Sequence, residues 1–175
     1  MNARQEATKL LRETKQTGIS VDLNAIANHL GVKLWEVDMA PFEARGVKTS
    51  GILYYDGKEY IIFINREAAP NRKRFTIAHE IGHYVLFKEK QAADNNAVLD
   101  YVLYRVDDYD FYSVSDKAEE KAANVFAAEL LMPIDPLKKL WKEGVHTIPV
   151  LAAKFSVSTE AMRIRVSNCF NELEA

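Results

Sequence analysis

Along the chain, apolar residues recur first with a helical period, then with a strand period, then with a helical period again. In residues 2–17, Ala7, Leu10 and Leu11 share one side among Arg4, Lys9, Arg12 and Lys15, which predicts an amphipathic helix ending near Gly18. Asp22 suits the N-cap of a second helix through Leu30, with Leu23, Ile26, Ala27 and Leu30 inward and Gly31 at the stop position. Residues 33–37 predict a strand and 38–49 a loop. The β-rich runs 51–55 and 60–64 predict a hairpin, because the Asp56-Gly57 between them is a strong turn signal. A small, mostly antiparallel three-stranded sheet is therefore expected beside the helices.

Pro70-Asn71 closes the strand layer, and Asn71 is placed to cap a helix reaching Phe87. Residues 88–115 are polar and then rich in tyrosine and aspartate, with 96–105 able to form a helix. A connection this long reads equally as a solvated link or a substrate-facing loop. Ser115-Asp116 opens a helix that runs to Met132 and is stopped by Pro133. Its second half is alanine-rich and apolar on most sides, as a central helix is. Shorter helices follow over 135–141, 150–155 and 158–170, and the last two have the cadence of a helix-turn-helix pair. The expected fold class is α+β, with a core over 1–133 and a helical extension over 134–175 packed on it as one unit.

Composition narrows the function classes. A chain of 175 residues, 48% hydrophobic and 27% charged, suits one packed domain. The net charge of -2 supplies no global field for nucleic acid or an anionic membrane. A single cysteine, Cys169, excludes an internal disulfide framework and suits a reducing cytoplasm. Residues 1–16 lack the apolar stretch of a secretory signal, and no run approaches the roughly 20 apolar residues of a membrane span.

The candidate chemistry lies in His79-Glu80-x-x-His83. Of the four histidines in the chain, two stand four residues apart on a predicted helix, so both imidazoles can face one ion. Glu80, on the same turn, can reach a water at that ion and act as acid and base. A catalytic zinc takes three protein ligands and leaves a position for water. The third is sought among Glu119, Glu120 and Glu129 on the later helix. Glu120 is preferred because it shares a face with Asn124, Ala127 and Leu131, whereas Glu119 is rotated by about 100° toward other charges. Asn124 is placed one turn on to hold a ligand histidine by its distal nitrogen. Candidates to stabilise a developing oxyanion are His146, Tyr109 and Tyr112. His29 has no partner ligand nearby in sequence and reads as a surface histidine.

These residues resemble a known family. Arg74-Phe75-Thr76-x-Ala78-His79-Glu80-x-Gly82-His83, followed by Glu120-x-x-Ala123-Asn124-x-Phe126-Ala127-Ala128-x-Leu130-Leu131-Met132-Pro133, is similar to the ImmA/IrrE-type metallo-endopeptidases over roughly residues 20–170. The resemblance implies one Zn2+ per chain held by His79, His83 and Glu120, with Glu80 as catalytic acid and base. It also implies a protein substrate, a helix-turn-helix repressor of a phage, mobile element or stress regulon. The rival reading is a non-enzymatic regulator that binds DNA or protein through residues 150–170 and keeps a structural zinc. From 134 to 175 six Lys/Arg face five Asp/Glu, a net of +1, which is thin for phosphate contacts.

Overall fold

The computed structural model describes residues 2–40, 50–93 and 114–175, without the side chains of 89–93 and 114–116. Among them the order is α1 (Ala3–Glu13), α2 (Leu23–Leu30), β1 (Val32–Val37), β2 (Gly51–Tyr55), β3 (Tyr60–Asn65), α3 (Pro70–Ala93), α4 (Val114–Leu131), α5 (Ile134–Lys142), α6 (Ile148–Phe155) and α7 (Thr159–Glu174). This is an α+β fold of seven helices and one small sheet among the described residues. No helix there is long and apolar enough to cross a membrane.

Local chemistry sets most boundaries. Asn2 caps α1 by accepting from the Arg4 and Gln5 amides, and Asp22 caps α2 through the amides of Asn24 and Ala25. Gly31 ends α2 at φ 70°, a left-handed conformation that a residue without Cβ adopts freely. α1 stops at Glu13 instead of continuing toward Gly18, with Thr14 bonding back to Leu10. α3 begins at Pro70, whose fixed φ and missing N–H suit the first helical turn. Asn71 therefore lies inside α3 rather than capping it, and α3 runs past Phe87 to Ala93. α4 starts at Val114, one residue before the expected Ser115. The expected helix over 96–105 and the rest of 94–113 lie outside the described residues.

The sheet differs from the expected one. Its order is β1-β3-β2, with β3 central. β2 and β3 form the antiparallel hairpin, in which the Asp56 carboxylate accepts from the Lys58 and Glu59 amides and Gly57 takes φ 92°. β1, however, pairs in parallel with β3, from Val32 opposite Tyr60 to Val37 opposite Asn65. The sheet is mixed rather than mostly antiparallel, because the chain leaving β1 crosses over before entering the hairpin.

One face of the sheet packs on α3. Val32, Leu53, Ile62 and Ile64 join Ala78 and Ile81 of α3 and Phe126, Ala127 and Leu130 of α4 in a common core. Tyr84 anchors α3 to its surroundings: its hydroxyl donates to the Leu30 carbonyl and its ring meets Tyr60 edge-on. Leu137, Leu151, Phe155, Met162 and Leu173 of α5–α7 are part of the same core.

An ion-pair hub ties these helices together. Glu129 of α4, 1% exposed, accepts from Arg4 of α1 at 2.9 Å, from Arg165 of α7, and from the Ile134 amide that opens α5. Arg165, 7% exposed, also donates to the Met132 carbonyl. Arg4 completes the set by pairing with Glu172. Each buried charge thus has a counter-charge and hydrogen bonds, the condition under which burial is tolerated.

Candidate metal centre

α3 carries His79, Glu80 and His83 into the core on successive turns, and all three are almost fully enclosed, at 1, 3 and 1% exposure. α3 and α4 approach closely here. A Cβ built on Gly82 would stand 3.3 Å from both the Cα and the carbonyl oxygen of Ala123 and 3.2 Å from the Phe126 ring. A glycine facing an alanine lets the two backbones come together, and that brings Glu120 over the histidines.

The result is a cluster of three donor atoms, one each from His79, His83 and Glu120, all within 4.8 Å of one another. The two Nε2 atoms are 3.0 Å apart, His83 Nε2 is 2.9 Å from Glu120 Oε1, and His79 Nε2 is 3.3 Å from Glu120 Oε2. Ligands about 2.0–2.1 Å from a tetrahedral ion are separated from each other by roughly 3.3–3.4 Å. The observed spacings are close to that, and the mixed nitrogen and carboxylate set is one that borderline divalent ions accept. The residues fit a metal ion.

Asn124 stands where a histidine holder is needed. Its Oδ1 is 3.0 Å from His79 Nδ1. An amide oxygen can only accept, so that ring nitrogen carries the proton and Nε2 presents its lone pair to the cluster. His83 Nδ1 and Glu80 Oε2 are buried with no hydrogen-bond partner among the described residues.

Electrostatics in the metal-free chain point the same way. Burial would raise the Glu120 carboxyl, but hydrogen bonds and charge from His79 and His83 outweigh it and hold Glu120 well below the usual carboxylate range. For His83, burial favours the neutral ring. The Glu120 hydrogen bond and the negative charges of Glu80, Glu120 and Glu119 overcome this and raise it above its ordinary 6.5. The carboxylate and the neighbouring negative charges thus favour positive charge at the buried cluster.

The other candidates separate from this centre. Glu129, weighed as a ligand, is committed to the Arg4–Arg165 hub on a different side of α4. His146 lies between α5 and α6, exposed, with its ring 4.5 Å from that of Trp141 and its Nε2 2.9 Å from the Trp141 carbonyl. Tyr109 and Tyr112 lie outside the described residues. His29 sits on the last turn of α2, exposed. Sequence reasoning missed Gly82 and Gly51. Gly82 stands inside the motif, between the histidines, where a helix interior disfavours glycine, and that was the available signal.

Known proteins share the fold of this chain and part of its sequence. A solved Mycobacterium tuberculosis transcriptional regulator superposes with a TM-score of 0.61 at 19% identity, covering 94% of this chain and 46% of that one, a likeness of fold. The radiation response metalloprotease IrrE of Deinococcus deserti is 36% identical over 110 residues, which are 59% of this chain and 34% of that protein. Its namesake from Deinococcus radiodurans is 36% identical over 81 residues, 45% of this chain and 21% of that protein. The matched stretches thus span about a third or less of these relatives. The IrrE N-terminal-like domain, a peptidase family, matches residues 27–167. With its characteristic sequence extending over most of the chain, the protein belongs to the IrrE N-terminal-like peptidase family.

Proposed function

We propose that the chain is a cytoplasmic zinc endopeptidase whose substrate is a protein, specifically a helix-turn-helix transcriptional repressor of a phage, mobile element or stress regulon. The observation that carries this reading is the convergence of His79, His83 and Glu120 with Glu80 beside them, its Oε2 buried and unpartnered. His79 Nε2, His83 Nε2 and one Glu120 oxygen are the groups that would hold the ion. A bound zinc supplies Lewis acidity, lowering the pKa of water and polarising the scissile carbonyl.

The chain's own residues do the rest. Glu80 accepts the proton of the attacking water and delivers it to the leaving amine. Asn124 keeps His79 in the tautomer that leaves Nε2 free. β2 lies at one edge of the sheet, and its first residue, Gly51, sits against α3 beside Glu80. An extended peptide added to that edge would run past the carboxylate, with main-chain hydrogen bonds giving affinity and side-chain contacts giving choice.

Support for a repressor as substrate comes from the family resemblance and from relatives named for a radiation response. Against the rival reading, a DNA-binding regulator, stands the fate of the two α7 arginines. Arg165 is buried on Glu129, and Arg163 makes two hydrogen bonds to Glu160. Arg165 is therefore withdrawn from any phosphate, which leaves Arg163 as the one exposed arginine of α7, already facing a carboxylate. The test is to incubate the chain with the repressor encoded next to it. Wild type is expected to cleave it with about one zinc per chain, and Glu80→Gln to keep the zinc and lose cleavage. A wild type that binds no zinc sinks the proposal, as does cleavage that survives Glu80→Gln.

A further inference from the structure

Phe75, His79, His83 and Phe87 stand four residues apart on α3 and so form one stripe along the helix. Their rings follow one another with centroids 6.2, 4.7 and 5.9 Å apart. The two inner rings belong to the candidate metal ligands. Of the outer two, Phe75 packs against the common core, as do Val85 and Leu86 just before Phe87. Phe87 differs. Its ring lies against that of His83, it stays partly exposed, and among the described residues it is not part of that core. Walls of this kind line binding sites, which are mostly apolar with a few polar groups placed for the chemistry.

The open edge of the sheet leads toward it. The Asn65 amide donates to the Ser50 carbonyl at 3.1 Å, and the Asp56 amide to that of Glu59 at 3.2 Å. Both bonds join residues directly opposite each other across the hairpin. Alternation then turns the main chain of Ile52 and Tyr54 to β3, and that of Gly51, Leu53 and Tyr55 to the free edge. Gly51 sits against Thr76 and Glu80. At the other end of β2, Tyr55 stacks on Tyr60 at 4.6 Å, and Tyr60 meets Tyr84 of α3 edge-on at 4.9 Å. β2 therefore runs beside α3 from the level of Glu80 to that of Tyr84, toward Phe87. A peptide paired with this edge passes Glu80 and continues along the turn that carries His83 and Phe87. One helical turn rises about 5.4 Å and an extended chain advances about 3.3 Å per residue, so Phe87 is one or two substrate residues from the ion.

We propose that Phe87 is a specificity-determining residue, its ring forming the wall that receives a large apolar side chain of the substrate within two residues of the scissile bond. This rests on the peptidase reading above and deepens it by naming the class of sequence that is cut. The favoured substrate is an extended segment whose main chain pairs with Gly51, Leu53 and Tyr55 and whose apolar side chain covers Phe87. A charged or amide side chain at that position would lose water against the ring without gaining a partner, and is selected against.

The test digests a randomised decapeptide library with full-length wild type, Phe87→Ala and Phe87→Leu, reading cleavage positions by mass spectrometry and zinc per chain for each protein. Wild type is expected to favour large apolar side chains at one position within two residues of the cut, by about tenfold or more in kcat/KM over alanine there. Phe87→Ala is expected to keep its zinc and lose that preference to below about threefold, with the preferences at other positions unchanged. Phe87→Leu is expected to keep its zinc and the apolar preference, with the favoured side-chain size altered at that position alone. Profiles in both variants identical to wild type overturn the proposal. Loss of zinc from both variants overturns it too, since the ring would then be a packing support for His83. Wild type that binds zinc yet shows no apolar preference beside the cut, or cuts no library peptide, overturns this proposal alone. If wild type binds no zinc and cleaves nothing, the peptidase reading falls, and this one with it.

Discussion

Gly82, next to the ligand His83 on α3, faces the Ala123 backbone of α4, one turn after the ligand Glu120, and there the two helices approach closely. The contact sets the height of Glu120 above the two imidazoles. In Gly82→Ala the gain in helix propensity, about 1 kcal/mol, opposes a steric cost of about 1–3 kcal/mol for crowding a close-packed site. The crowding falls on backbone atoms that cannot rotate away, so the cost is expected to win. The variant should be less stable in urea by about 1 kcal/mol and bind zinc more weakly. Greater stability together with unchanged zinc affinity would show that the helices have slack here.

Asn124 offers a milder cut. Removing its amide in Asn124→Ala leaves the three ligands in place and takes away the acceptor for His79 Nδ1–H. Zinc affinity is expected to drop about 10–100-fold, the usual effect of losing the group that orients a ligand histidine. Competition with a chromophoric chelator measures it, and an unchanged constant would deny Asn124 that role.

The titration of the cluster predicts opposite pH dependences with and without metal. In the metal-free chain His83 is raised above 6.5, so its contribution to stability is complete below 6.5 and fades as pH rises through the raised value. Glu120 is held below 4.5, so its contribution is complete above 4.5 and fades as pH falls through the depressed value. The two together favour the metal-free fold most between pH 4.5 and 6.5. Zinc competes with the proton for His83, so its stabilising increment should grow as pH rises. Melting curves with EDTA and with zinc at pH 5.5 and 8 test this, and an increment equal at both values would contradict His83 as a ligand.

Breaking the hub should damage a different part of the molecule. In Glu129→Ala the buried guanidinium of Arg165 loses its counter-charge, a change that costs about 3–5 kcal/mol when a buried pair is severed. Hydrogen exchange should quicken first in α7, which Arg165 ties to Met132 and Glu129. The double change Glu129→Leu with Arg165→Met should recover part of the loss, because Arg4 keeps Glu172. A double variant as unstable as the single one would mean that the charges themselves, not their pairing, hold the helices.

How much of this could be read beforehand depended on the range of each signal. The α1 stripe of Ala7, Leu10 and Leu11, the caps Asp22 and Gly31, and the Asp56-Gly57 turn are local, and each did what its residues dictate. The histidine pair and Glu120 were legible because helix periodicity alone puts them on faces. The parallel pairing of β1 was not legible, since nothing in residues 32–37 specifies a neighbour some 28 residues on. From the sequence Arg165 is one of six bases in residues 134–175 with no partner specified, and its burial follows only from a carboxylate 36 residues earlier. Gly51 and Gly82 act by what they lack, and an absent side chain shows its meaning only once the opposing atoms are known.

The spacing of the three donors also dictates the order in which the centre comes into being. His79 and His83 lie four residues apart and take up their mutual geometry as soon as α3 winds, on the microsecond timescale of helix formation. Glu120 lies 37 positions beyond His83 and arrives only when the intervening chain closes into a loop and α4 docks. A nascent chain therefore offers an incoming ion the two nitrogens before the Glu120 carboxylate, and zinc trapped there would act as a clasp that rewards the docking of α4. Refolding should then run faster with zinc present from the start than with zinc added afterwards.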